Sequence, residues 1–258
     1  MIQPRQHVRP FRLRHFTLKP DTTFQNRLTR PMIMRLFDSI HRWERGLHAK
    51  WGKDISTPDA RRGAWWHYQL LDHGFLRHLW TNFDEFAPGA YRSNQPDAKR
   101  LKAYAAKGIK TVLNLRGPSA HSPYLFEREA CAELGLQLVD LSLKARSAPT
   151  REALLELIDL FPTLPRPFLL HCKSGADRAG LASAIYLLTQ TEAPITSAKE
   201  QLSLRYLHIR ASKTGVLDHV LELYEIRHAE TGIGFRDWVA RHYDQAATNA
   251  SFATKRSK

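Results

Sequence analysis

Sulfur is scarce in this chain: its 258 residues hold two cysteines, Cys131 and Cys172, and three methionines. Two thiols cannot build a disulfide framework or supply the four ligands of a structural zinc site, which leaves at least one of them available for its reactivity. Long apolar runs are lacking too. The longest near-apolar stretches, such as Leu181 to Leu188, fall well short of the ~18–20 residues a membrane-spanning helix needs. The first 30 residues carry several Arg and no uninterrupted apolar segment of the secretory type, so the expected compartment is the cytoplasm. No internal repeat is present. With 43% hydrophobic and 25% charged residues the composition is globular, neither disordered nor fibrous. At ~150 residues per domain, the length fits one large domain or one domain with an extension.

Negative charge is the minority charge, and the formal net charge is +14. Residues 1–63 carry 14 basic and 5 acidic residues, so most of the surplus lies in the first quarter. Such a stretch attracts polyanions, whether nucleic acid, an anionic membrane face or an acidic substrate, or is simply a solvated leader. Residues 1–30, with Pro4, Pro10 and Pro20 and no sustained period, read as a basic extended arm. Residues 31–83 read as a helical N-terminal extension. Within it Ile33, Leu36, Phe37, Ile40, Trp43 and Leu47 recur at helical intervals between Arg35, Asp38, Arg42 and Arg45. The apolar face of that helix would pack on the core or meet an anionic bilayer, which would make the protein peripheral at the inner membrane face. Trp51, Trp65, Trp66, His67, His73, His78 and Trp80 lack metal-like spacing and read as helical packing.

From about residue 84 strands and helices alternate. Residues 109–115 (IKTVLNL), 136–143 (LQLVDLSL) and 168–172 (FLLHC) are runs of strand length, with helix-like segments near 97–107, 123–134 and 149–162. Further helices are expected near 178–190, 195–209, 214–229 and 235–244. The predicted fold class is therefore α/β, a central and mostly parallel sheet flanked by helices over residues 84–246. Residues 247–258 read as a flexible polar tail.

The chemistry concentrates in FLLHCKSGADRAGLA, residues 168–182. A hydrophobic strand ends in His171-Cys172, a short turn containing Gly175 follows, and Arg178 begins an amphipathic helix. A loop between a strand end and a helix N-terminus can aim successive backbone N–H groups at one anion. Gly175 permits a backbone angle other residues resist, and Arg178 can grip two oxygens of a tetrahedral anion with its planar fork. The same field favours the thiolate, the form of cysteine that attacks phosphorus.

HCKSGADRAG resembles the Cys-x5-Arg signature loop of the protein tyrosine and dual-specificity phosphatase superfamily. The preceding AYRSNQPDAKRLKAYAAKGIKTVLNLRG is similar to the entry segment of its compact microbial members. The resemblance covers about residues 84–190 and implies a phosphatase-like fold and phosphomonoester hydrolysis through a phosphocysteine intermediate. By it, Cys172 is the nucleophile and Arg178 the phosphate clamp. The loop residues Lys173, Ser174, Gly175, Ala176, Asp177 and Arg178 bind phosphate, and His171 orients the loop. Neither metal nor cofactor is implied. Two acids compete to protonate the leaving oxygen. Asp140 lies at nearly the family's separation from the nucleophile but inside a strand pattern, whereas the following loop, KARSAP, has no carboxylate. Asp177, immediately before Arg178, matches phosphoinositide-directed and some bacterial members and is favoured. The family's Ser or Thr after the signature Arg is Ala179 here, which implies slower breakdown of the phosphoenzyme unless Ser174 or water substitutes.

Lys173, Lys144 and Arg146 are candidate substrate-binding cations and point toward a phosphorylated protein, or an anionic phospholipid, glycolipid or other polyanionic phosphate. A phosphate-binding pseudophosphatase and an RNA 5′-triphosphatase are the alternatives. No aromatic-rich RNA-recognition pattern supports a nucleic-acid partner. Cys131 reads as a small buried residue, with a resolving thiol as the minority reading. Asn94 and Gln95 either shape the pocket wall or form a turn.

Overall fold

A computed structural model describes residues 52–257; the expected arm over 1–30 and the helix expected over 32–47 lie outside the described residues. The core is a five-stranded sheet in the order β1-β2-β5-β3-β4. Its strands are β1 Asp84–Ala87, β2 Ala90–Asn94, β3 Thr111–Asn114, β4 Gln137–Asp140 and β5 Phe168–Cys172. Strand β1 pairs antiparallel with β2, and the other three pairings are parallel. Side chains alternate across it. On one face Leu113, Phe168, Leu170 and Cys172 join the large core. On the other, Val112 packs with Leu101 and Cys131, and Leu169 with Tyr104 and Ile109. Both faces are covered, as a parallel sheet requires.

Helices α2 (Ala98–Ala106) and α3 (Ser122–Glu133) cover the second face. The first is covered by α4 (Arg151–Leu160), α5 (Asp177–Gln190), α7 (Val216–Thr231) and α8 (Phe235–Arg241). Local chemistry starts them. The Asp97 side chain accepts from Arg100 N, and Thr150 accepts from Ala153 N, the start that Pro149-Thr150-Glu152 suggested. Helix α5 follows the signature turn directly and is buried from Ala179 through Leu187. Each fully buried Leu or Ile is worth ~1.5–3 kcal/mol, so the helix cannot slide and the loop at its start is held in place. Helix α1 (Pro58–Trp66), a π turn over His67–Leu71 and a 3-10 turn over Gly74–His78 precede the sheet. Among the described residues no helix is long and apolar enough to cross a membrane.

Three expectations need correction. Most of the expected flexible tail is helical: α9 runs Gln245–Arg256, capped by Asp244 accepting from Ala247 N, with Phe252 packed on the core. The helix expected over 195–209 stops early, as α6, Ile195–Lys199. Beyond it lie a 3-10 turn at Leu204–Tyr206 and the left-handed Leu207 (φ 63°), which no continuing helix tolerates. Strands β1 and β2 were not expected, because Arg92, Ser93 and Asn94 are polar yet fully buried. Their polar groups meet hydrogen-bond partners rather than oil, Arg92 at Gly175 O and Asn94 at the Arg77 and Trp80 carbonyls, which hides the strand signature.

Candidate active site

Cys172 is the last residue of β5, 1% exposed and beside the core. The turn after it is tied from behind, one carbonyl after another. Lys173 O accepts from Gln95 N (3.4 Å), Ser174 O from Asn82 Nδ2 (2.8 Å), and Gly175 O from Arg92 Nη2 (2.7 Å); Ala176 O lies 3.4 Å from the same nitrogen. In a trans peptide the N–H points opposite to the C=O, so carbonyls held outside turn the following amides inward. The result is a concave row of donors ending at the N-terminus of α5, the physical requirement for cradling an oxyanion. Gly175 is required on two counts. Its φ is +74°, and a Cβ there would stand 2.6 Å from Asn94 N.

Arg92 is the central buttress. It is fully buried, its other amino group binds Gln201 O (2.9 Å) and Gln201 Oε1 (2.8 Å), and its guanidinium lies 3.6 Å from the centre of the Tyr206 ring. Burial pulls its pKa down to about 10, which leaves it a cation at neutral pH. Neither Arg92 nor Tyr206 was foreseen. The only sequence signal was an arginine inside AYRSN, at the start of the segment similar to the family's entry segment.

Above the loop opens a cleft of about 710 Å³, lined among others by Lys144, Arg146, Lys173, Ser174, Asp177 and Arg178. The structure thus brings the predicted cations Lys144 and Arg146 to the phosphate loop. Arg178 Nε is buried without a hydrogen-bond partner among the described residues, and no carboxylate pairs with Arg178 there. Such a donor suits an incoming oxyanion. Lys173 does not stand alone: its Nζ lies 3.3 Å from Asp72 Oδ1. Asp72 also accepts from Arg77 (2.7 Å) and Arg116 (3.0 and 3.2 Å). Burial would raise the Asp72 carboxyl, but Arg116, Arg77 and Lys173 hold it well below the usual range, so it stays an anion. Asp72 lies upstream of the recognisable segment, where no motif singles it out.

The two expected acids are placed differently. Asp140 ends β4, its Oδ1 accepting from Asn114 Nδ2 (2.8 Å) and its Oδ2 from Tyr124 OH (2.5 Å). Both oxygens are committed and it does not line the cleft. Asp177 lines the cleft as the first residue of α5, and its Oδ1 lies 2.8 Å from Nδ1 of the buried His208. It therefore does not simply tie down Arg178. His171 points to the opposite face of the sheet, its Nε2 2.6 Å from Glu127 Oε1, though off the hydrogen-bond axis. Gln95 Nε2 donates to Glu127 Oε2 (2.8 Å), which makes Gln95 part of the wall behind the loop rather than a turn. Asn94, the end of β2, donates to Arg77 O (2.9 Å) and Trp80 O (2.5 Å). Ala179 is fully buried and offers no hydroxyl; Ser174 Oγ, which with water was one of two possible substitutes, accepts from Ala176 N (3.4 Å). Cys131 lies in the cluster on the sheet's other face from Cys172, which rules out the resolving-thiol reading; burial pushes its thiol up to about 12. Among the described residues no cluster of His, Cys, Asp or Glu is arranged to hold a metal ion.

A mostly parallel sheet whose central strand feeds a Cys-x5-Arg loop into a buried helix is the frame that the sequence resemblance implied. The family model described as "DSP-PTPase phosphatase fused to NAD+ Kinase" matches residues 84–215, about half of the chain, and the chain belongs to that family within the dual-specificity and tyrosine phosphatases. It is a phosphatase of this type. Among the curated proteins none matches. Similar solved structures include P. aeruginosa TpbA, 18% identical over 67% of this chain and 91% of that one (TM-score 0.45). Another is the catalytic core of the PP-IP phosphatase SIW14 from S. cerevisiae, 18% identical over 58% and 92% (TM-score 0.45). Tk-PTP is 20% identical over 58% and 97% (TM-score 0.46).

Proposed function

We propose that the protein hydrolyses phosphomonoesters through a covalent phosphocysteine at Cys172. The Cys172 thiolate attacks phosphorus as the bond to the leaving oxygen breaks. Arg178 and the inward loop amides stabilise the equatorial oxygens, and Asp177 delivers the proton to the leaving group. Water then attacks phosphorus, the electron pair of the S–P bond returns to sulfur, and phosphate departs. The observation that carries this reading is the loop held by its carbonyls from outside, with the buried, unpartnered Nε of Arg178 beside it. Lys144 and Arg146 at the same cleft support a substrate with negative charge beyond the scissile phosphate: a multiply phosphorylated protein segment, or an anionic lipid or polyphosphate headgroup. A second reading, phosphate binding without turnover, rests on the fully buried Ala179, where no hydroxyl is available to assist the departing sulfur.

Hydrolysis of 4-nitrophenyl phosphate in the presence of a chelator tests the first reading. Cys172→Ser is expected to lose at least ~10³-fold in rate. Wild-type rates in that variant would remove the nucleophile assignment, and phosphate binding by an inactive wild type would favour the second reading. Asp177→Asn is expected to slow phenyl phosphate by ~10²-fold or more while costing far less with nitrophenol, which needs little protonation.

A further inference from the structure

We infer that His208 is the positioning residue and proton relay for Asp177, completing a chain Asp218–His208–Asp177 that supplies and later recovers the proton of the leaving group. The inference rests on Asp177 being the general acid. The imidazole is wedged between two carboxylates: Nδ1 is 2.8 Å from Asp177 Oδ1 on α5, and Nε2 is 2.6 Å from Asp218 Oδ2 on α7. Its side chain is fully buried while Asp177 stays partly exposed at the cleft, so the chain runs from the interior to the substrate. A neutral imidazole has one N–H and can satisfy only one of two carboxylates; the cation donates to both.

The segment that carries His208 is built to place it. Leu207 takes the left-handed conformation, unfavourable for leucine, and leaves its own side chain half exposed while His208 turns in. His208 N donates to Ser203 O (3.1 Å), closing this turn. Asn82 Nδ2 bridges Tyr206 O and Ser174 O, and Arg92 stacks on Tyr206 while binding Gly175 O. The turn bearing His208 and the phosphate loop therefore share one scaffold, which fixes the imidazole relative to Asp177. A helix capped only to hold α5 in place would need none of this.

In the first half-reaction the S–P bond forms and the P–O bond breaks, its electron pair staying on the leaving oxygen. The proton moves from His208 Nδ1 to the Asp177 carboxyl and from there to that oxygen, leaving a neutral His208 that still donates Nε2–H to Asp218. In the second, the attacking water gives its proton to Asp177 and back to His208, so the site is restored without any other reactant. Asp177 and Asp218 are the charged groups facing the ring among the described residues. Burial alone would lower the imidazole's pKa, but the hydrogen bonds to Asp177 and Asp218 raise it to about 9. The relay is then charged throughout the neutral range.

Two variants test this on the full chain with phenyl phosphate and 4-nitrophenyl phosphate. His208→Asn keeps a donor toward Asp177 but cannot release a proton. It is expected to lose ~10²-fold with phenyl phosphate and at least ~10-fold less than that with the nitrophenyl ester. Asp218→Asn keeps the fold's hydrogen bond and removes one charge, and is expected to move the basic limb of the phenyl phosphate pH profile down by about one unit or more. Equal losses on both substrates in His208→Asn, or an Asp218→Asn profile that superimposes on wild type, overturns the relay. If His208→Asn fails to fold, the Asp218→Asn profile decides. Failure of the underlying reading looks different: Asp177→Asn would then lose equally on both substrates, whatever the His208 variants do.

Discussion

Two carboxylates flank the phosphate loop, one before the recognisable domain and one inside the signature, and they are held in opposite ways. Asp72 is surrounded by Arg77, Arg116 and Lys173. Asp177 meets an imidazole, His208. Two of these three are guanidinium groups, which do not give up protons near neutrality, so Asp72 serves to anchor cations in a fixed arrangement around the loop. An imidazolium can give one up, so Asp177 sits on a path along which a proton can move. Residue type alone does not separate the two; the partner does.

The sharpest way to break the comparison is to neutralise its static half. Asp72→Asn leaves Arg77, which is almost fully buried, without a counter-charge. The expected cost is about 3–5 kcal/mol of stability, read as a fall in denaturation midpoint. Phosphate affinity should change in the same variant, because Lys173 is released toward the cleft. An unchanged midpoint would mean that the three cations do not depend on Asp72. Next in size is Arg92→Lys, which keeps a positive charge but not the fork that reaches both Gly175 O and Gln201. We expect about 2–3 kcal/mol of destabilisation, together with weaker binding of vanadate. Binding as tight as wild type would show that the loop keeps its shape without the buttress.

The smallest effect sharpens the dynamic half. His208 has its folded pKa raised, to about 9, above an unfolded value near ~6.5. Its contribution is therefore complete below about pH 6.5 and is lost as pH rises through about 9. The difference between wild type and His208→Asn in urea stability should shrink over that window by at most about 3 kcal/mol. A difference that stays constant from pH 6 to 10 would show that the imidazole is not charged in the folded state.

Legibility in the sequence followed the kind of residue involved. Strand β5 and the start of α5 were readable because FLLHC is an unbroken buried run followed by a glycine turn, and all five of its residues are buried. Cys172 and Arg178 stood out as candidates because the proposed chemistry demands those residue types at that spacing. Strand β2 was not, since its buried Arg92, Ser93 and Asn94 break the apolar alternation, Arg92 reaching the loop and Asn94 the Arg77 and Trp80 carbonyls. Helix α9 was read as a tail because ATNASFATK is mostly small and polar. It is held by its Asp244 cap, Phe252 and a Ser251–His219 bond (2.8 Å), contacts that no local pattern reports.

The choice between Asp140 and Asp177 shows the boundary clearly. Their positions in the chain left both open. In space, Asn114 and Tyr124 occupy both oxygens of Asp140, whereas Asp177 opens to the cleft with His208 behind it. The sequence by itself determined the Cys-x5-Arg spacing and the α/β frame, because these depend on neighbours in the chain and on a short, stiff loop. Only the tertiary structure decided what surrounds that loop: Asp72, Arg92 and His208 lie 100, 80 and 36 positions from Cys172 in the chain. The strength of a buried charge depends on groups brought near by folding, and sequence spacing carries no record of them.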